Sequence, residues 1–134
     1  MTRFWITIEQ GVEFVIKCVE IMKGGEIFVP KIPSMKIIDL ADAIAPKAKK
    51  KVIGIRPGEK IHEILLTADE ARHTREFDNF FVIEPEYIYW LSEPRVKTKK
   101  QGKTLPEGFS YTSDKNTQWL TKEELKKIIK KLSK

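Results

Sequence analysis

Cysteine is nearly absent from this sequence: Cys18 is the only one among 134 residues. A single thiol excludes an internal disulfide and a cysteine-based zinc site. Histidine is scarce as well. His62 and His73 have no cluster of ligands around them, and although His62-Glu63 resembles the start of a zincin motif, Leu66 stands where the second histidine belongs. No metal site is expected. Long apolar runs are missing too, since none reaches the roughly 20 residues that span a bilayer. The longest candidate, Val12 to Met22, is broken by Glu13, Lys17 and Glu20. There is no glycine-rich phosphate loop of dinucleotide or P-loop type and no Gly-x-Ser-x-Gly elbow. Met1-Thr-Arg-Phe-Trp leads straight into an amphipathic stretch, so no signal peptide is read and a soluble, cytoplasmic chain is expected.

What is present suits a folded chain. Apolar residues make up 41% and charged residues 33%, a balance that favours a packed core over disorder. The net charge of +6 is unevenly spread. Residues 1–94 hold 13 Lys/Arg against 15 Asp/Glu, whereas residues 95–134 hold 12 against 4, a net of +8. Such a tail fits an anionic partner such as nucleic acid, nucleotide or a lipid surface, but a solvated helix face and loop is the favoured reading. Tyr87, Tyr89 and Trp90 lie beside it and could stack bases, so a small basic nucleic-acid-binding module is one functional reading.

The order of elements reads helix, strand, helix, strand, helix, strand, helix. Thr7 with Gln10 forms a capping box ahead of Ile8, Val12, Val15, Val19 and Met22 at helical spacing, and Gly24-Gly25 offers a left-handed cap. Glu26–Val29 reads as a buried strand stopped by Pro30, Ile37–Ala45 as a helix, and Val52–Ile55 as a second strand. Ile61, Ile64 and Leu65 suggest a short helix, and Phe80–Ile83 a third strand. Thr121 with Glu124 opens a C-terminal helix with Leu125, Ile128, Ile129 and Leu132 on one side. The fold class is mixed α/β with few, short strands.

The sharpest local signal is Gly54-Ile-Arg-Pro-Gly-Glu-Lys60. Pro57 fixes φ and Gly58 can take positive φ, which holds the Arg56 guanidinium on a rigid turn. That planar fork matches a phosphate in a way lysine cannot copy, and Glu59 lies within reach of vicinal sugar hydroxyls. An ordinary strand-to-helix turn would look the same. Thr2-Arg3-Phe4-Trp5 supplies a hydroxyl, a cation and two aromatic faces, or else a terminus with core aromatics.

Several strings occur in the same order in one family. They are Met1-Thr-Arg-Phe-Trp-Ile-Thr7, Gly24-Gly-Glu-Ile-Phe-Val-Pro-Lys-Ile-Pro-Ser-Met35, Asp39-Leu-Ala41, Ile53-Gly-Ile-Arg-Pro-Gly-Glu-Lys-Ile-His-Glu63 and the Tyr111–Thr121 ending. They resemble the C-terminal part of the inverting UDP-N-acetylglucosamine 4,6-dehydratases, polysaccharide biosynthesis proteins among the extended short-chain dehydrogenase/reductases. The resemblance implies that residues 1–30 are the last helix and strand of the nucleotide-binding (Rossmann) fold and residues 31–134 a UDP-sugar-binding domain. It implies a lyase in which NADP oxidises C4 of the sugar, water leaves across C5–C6 and hydride returns to C6, with inversion at C5.

The cofactor loop and the acid–base residues of that family precede the matched part. The resemblance therefore implies neither a catalytic residue nor bound NADP for this chain alone. It implies substrate holding: Arg56 on the diphosphate, Glu59 on the ribose or uracil side, Thr2 and Arg3 bordering the substrate, and Lys31 and Asn116 as further contacts. Met1 coincides with a methionine internal to the family, so a truncation, a split enzyme or a fragment is expected. A helix and strand without their sheet would leave apolar surface for a partner chain carrying the other half or for self-association.

Overall fold

The computed structural model of the chain describes residues 1–85 and 102–132. In chain order the elements are β1 (Thr2–Phe4), α1 (Ile8–Ile21), β2 (Ile27–Pro30), β3 (Ser34–Lys36), α2 (Ile37–Ile44), β4 (Ile64–Leu66), α3 (Ala68–Ala71), β5 (Thr74–Glu76), β6 (Phe80–Ile83), β7 (Lys103–Thr104), β8 (Tyr111–Thr112) and α4 (Lys122–Leu132). The fold is mixed α/β with short strands, as expected. The chain divides into two compact units, neither continuous in sequence. The first comprises Met1–Trp5, Ile32–Ile64 and Thr112–Lys134, the second Ile6–Lys31 and Leu65–Tyr111.

The second unit is built on an antiparallel sheet in the order β2-β6-β5-β7. Its centre is β6, whose Phe80, Phe81 and Val82 are all buried. Successive side chains on a strand face opposite ways, and the aromatic contacts follow that alternation. Phe80 meets Phe14 of α1, Phe28 of β2 and Phe77, the last stacked at 4.9 Å. Phe81 meets Phe109 and Tyr111. The Thr7–Gln10 capping box is formed in both directions. Helix α1 nevertheless ends at Ile21, with extended Met22 as its C-cap, so Gly24 and Gly25 make the turn into β2 rather than the cap itself. Their positive φ is relieved by having no Cβ, and the Glu26 carboxylate accepts from the Gly24 N–H at 2.7 Å.

In the first unit β1 runs antiparallel to β3, pairing Thr2 with Lys36 and Phe4 with Ser34. Helix α2 follows β3 directly and packs against α4, where Leu125 is fully buried. Thr121 and Glu124 form the expected reciprocal cap: the Thr121 N–H donates to Glu124 Oε2 and the Glu124 N–H to Thr121 Oγ1.

Two expected elements are replaced. Val52–Ile55 lies outside regular structure, because Gly54 at φ +83° interrupts the extended run and Pro57 closes it off. Ile64–Leu66 is strand β4 rather than part of a short helix, since three apolar residues carry too little period to separate the two. Strands are also more numerous than the three expected. The aromatic run at 87–90 lies outside the described residues.

Candidate functional site

Arg56, Pro57, Gly58 and Glu59 form a hydrogen-bonded turn in the first unit. The Glu59 N–H donates to the Arg56 carbonyl at 3.0 Å, and Gly58 sits at φ +79° in the third position, the geometry of a type II turn. The turn is locked a second time by the Arg56 N–H donating to Glu59 Oε2 at 3.1 Å. Glu59 thus holds the backbone of Arg56 and leaves its guanidinium alone. Among the described residues that guanidinium has no partner, and it is exposed.

The segment just after the turn is fastened to β1. Arg3 donates from Nη2 to the Lys60 carbonyl at 2.8 Å and from Nη1 to the Thr2 and Ile61 carbonyls, while its Nε lies 3.5 Å from Glu63 Oε1. Every nitrogen of that guanidinium is engaged within the chain. The Thr2 N–H donates to the Ile61 carbonyl, and the Phe4 N–H to Glu63 Oε2 at 2.9 Å. Thr2 Oγ1 also lies 2.8 Å from His62 Nδ1 and 2.7 Å from Ser113 Oγ, which accepts from the Glu63 N–H. Thr2 and Ser113 are both buried.

Asn116 belongs to the same unit. Its Nδ2 donates to the Ile32 carbonyl and to Ser34 Oγ, and its own carbonyl accepts from Trp119 Nε1, so it ties the loop before β3 to the chain before α4. Lys31 belongs to the second unit. There it pairs with Glu76 at 2.7 Å, lies over the Phe81 ring, and lines a polar groove of about 460 Å³ with Lys17, Asp78 and Lys103. The first unit therefore gathers Arg56, Glu59, Thr2, Arg3 and Asn116.

Sequence reasoning missed His62, Glu63 and Ser113. Their link to Thr2 spans separations of 60 and 111 residues and leaves no local pattern. A second electrostatic focus is Asp42 on α2, which accepts from Lys122 and Lys50; the two bonds hold its carboxyl down at about 2. Lys122 also reaches Asp39 at 3.3 Å, so the first lysine of α4 is tied to α2. Among the described residues no group of three or more metal-ligating side chains is found, and no helix is long and apolar enough to cross a membrane.

The family described as polysaccharide biosynthesis protein matches this chain over residues 1–85. A UDP-N-acetylglucosamine 4,6-dehydratase (inverting) of Campylobacter jejuni is 48% identical over 132 residues, which is 96% of this chain and 40% of the relative. An uncharacterized membrane protein of Methanocaldococcus jannaschii is 36% identical over 99% of this chain and 39% of its own length. Among solved structures, the X-ray structure of Pen from Bacillus thuringiensis superposes with a TM-score of 0.73 at 29% identity, covering 98% of this chain and 37% of that one. The chain spans about two fifths of the length of the curated relatives named here.

Proposed function

This chain belongs to the polysaccharide biosynthesis protein family, and from that premise we propose that it is the UDP-sugar-binding portion of a nucleotide-sugar 4,6-dehydratase of UDP-N-acetylglucosamine type. The observation that carries the proposal is the exposed Arg56 guanidinium, without a partner among the described residues, on a doubly locked turn. A rigid, exposed fork suits a diphosphate, because its bidentate hydrogen bonds need no ordering of the backbone on binding. Glu59 already spends one oxygen on the Arg56 N–H, which leaves the other for the vicinal hydroxyls of a ribose. In the first unit Thr2, Arg3 and Asn116 complete the set of candidate residues, and Lys31, in the second unit, is a separate candidate.

The same reading gives residues 1–30 to the end of a nucleotide-binding fold and 31–134 to the substrate domain. Its support is α1, whose helical stripe of Ile8, Val12, Val15 and Val19 is exposed although its spacing is that of a packed face. A further portion bearing that fold, in the same or a partner chain, would cover the stripe, and self-association would do so otherwise. NADP belongs to that further portion. The positive-φ glycines among the described residues, at 24, 25, 54, 58 and 108, open no helix after a strand, so those residues do not fit a pyrophosphate cradle and we derive no step through the cofactor. Lyase activity is accordingly assigned to the complete enzyme, in the cytoplasm. The nucleic-acid reading has no relative behind it.

Calorimetric titration of the chain with UDP-N-acetylglucosamine tests the binding claim. Saturable binding that weakens at least tenfold in Arg56→Ala is expected. Equal binding by both proteins, or none by either, would overturn it.

A further inference from the structure

The hydrogen bonds around Thr2 have a direction that the atoms themselves dictate. The Glu63 N–H can only donate, so Ser113 Oγ accepts it at 2.9 Å. Ser113 is fully buried, and among the described residues the only side-chain acceptor its own proton reaches is Thr2 Oγ1 at 2.7 Å. A buried hydroxyl proton without an acceptor is costly, so it goes there. The Thr2 hydroxyl then has one place for its proton, His62 Nδ1 at 2.8 Å. The chain of donors runs from Glu63 N–H through Ser113 and Thr2 to an imidazole nitrogen that must be unprotonated. His62 is thereby the neutral Nε2–H tautomer.

We infer that Ser113, Thr2 and His62 form a positioning relay that fixes the His62 tautomer and seats the Lys60–Glu63 segment that directly follows the Arg56–Glu59 turn. This deepens the UDP-sugar reading and rests on it. Ser113 has no exposed surface to offer a ligand, so an effect it has on binding passes through its hydrogen-bonded neighbours. Both sides of the Thr2 hydroxyl are occupied within the chain, as are all nitrogens of Arg3. Thr2 and Arg3 act on the substrate by holding the turn, and Arg56 makes the contact.

The test pairs imidazole ¹⁵N chemical shifts of His62 with calorimetric titration by UDP-N-acetylglucosamine, in the wild-type chain, Ser113→Ala, Thr2→Val and Thr2→Ser. Expected are an unprotonated Nδ1 in the wild type and in Thr2→Ser, and a shift toward mixed tautomers in Ser113→Ala and Thr2→Val. Binding should weaken about tenfold in the latter two and be retained in Thr2→Ser, in step with the cost of breaking a buried hydrogen bond. A merely structural role would alter affinity without moving the tautomer, and that result overturns the relay. So does an unchanged tautomer with unchanged affinity. If the wild-type chain binds no UDP-sugar, the functional reading fails, and the shifts alone decide the relay. Should Ser113→Ala fail to fold, the Thr2→Val and Thr2→Ser pair decides it.

Discussion

Arg56, exposed, and Asp42, half-buried, show how differently two charges near the surface can be used. The Asp42 carboxylate is saturated by Lys122 and Lys50, and its folded-state value of about 2 lies below the ordinary 3.8. A depressed carboxyl contributes stability that is present above its unfolded value and is lost as pH falls through the folded one. The window is therefore between about pH 4 and pH 2. Thermal midpoints of wild type and Asp42→Asn should differ at neutral pH and converge across that window. The difference should be small and shrink with added salt, because the cluster lies at the surface and is reached by solvent. Arg56 has no such partner among the described residues, and Arg56→Lys keeps its charge while losing the fork. Calorimetry should show UDP-N-acetylglucosamine binding weaker than wild type but stronger than in Arg56→Ala. Arg56 was legible in the sequence because Pro57 and Gly58 fix the turn within four residues. His62 and Ser113 were not, because their relation to Thr2 exists only once distant segments meet.

At the scale of elements, helices were legible and strands largely were not. Helix α2 is marked by its apolar spacing alone, with no side-chain cap at Lys36, whereas α1 and α4 each carry a period and a reciprocal cap within a short window, at Thr7–Gln10 and Thr121–Glu124. The same signal at Thr67–Glu70 opens α3 and was passed over, because the helix has only four residues. Strands of two to four residues are too short to display alternation, and β-branched Val52-Ile53 suggested one where Gly54 forbids it. Two substitutions probe these local devices by urea denaturation. Thr121→Ala should cost about 1 kcal/mol through the lost cap. Gly58→Ala should cost about 1–2 kcal/mol from positive φ alone, since nothing lies within 4 Å of the added Cβ.

On the scale of the whole molecule, the apolar surface of α1 is the feature that composition could not reveal. Val15 and Val19 are 60% and 64% exposed, although their spacing reads as a buried stripe. Periodicity identifies an apolar face without saying whether this chain covers it. Such a face favours association. Val15→Lys combined with Val19→Lys should leave the thermal midpoint nearly unchanged, because no buried contact is removed. The same pair should lower the sedimentation-average mass if the face drives self-association, and an unchanged mass would place any association elsewhere.

The central claim is that the Arg56 turn holds the diphosphate of a UDP-sugar, and amide-NMR titration with UDP-N-acetylglucosamine tests it most directly. Shifts gathered at residues 56–63 and at Thr2 and Arg3, and lost in Arg56→Ala, are the expected result. A spectrum that does not respond, or one that responds along the lysines of α4 while the turn stays silent, would contradict it.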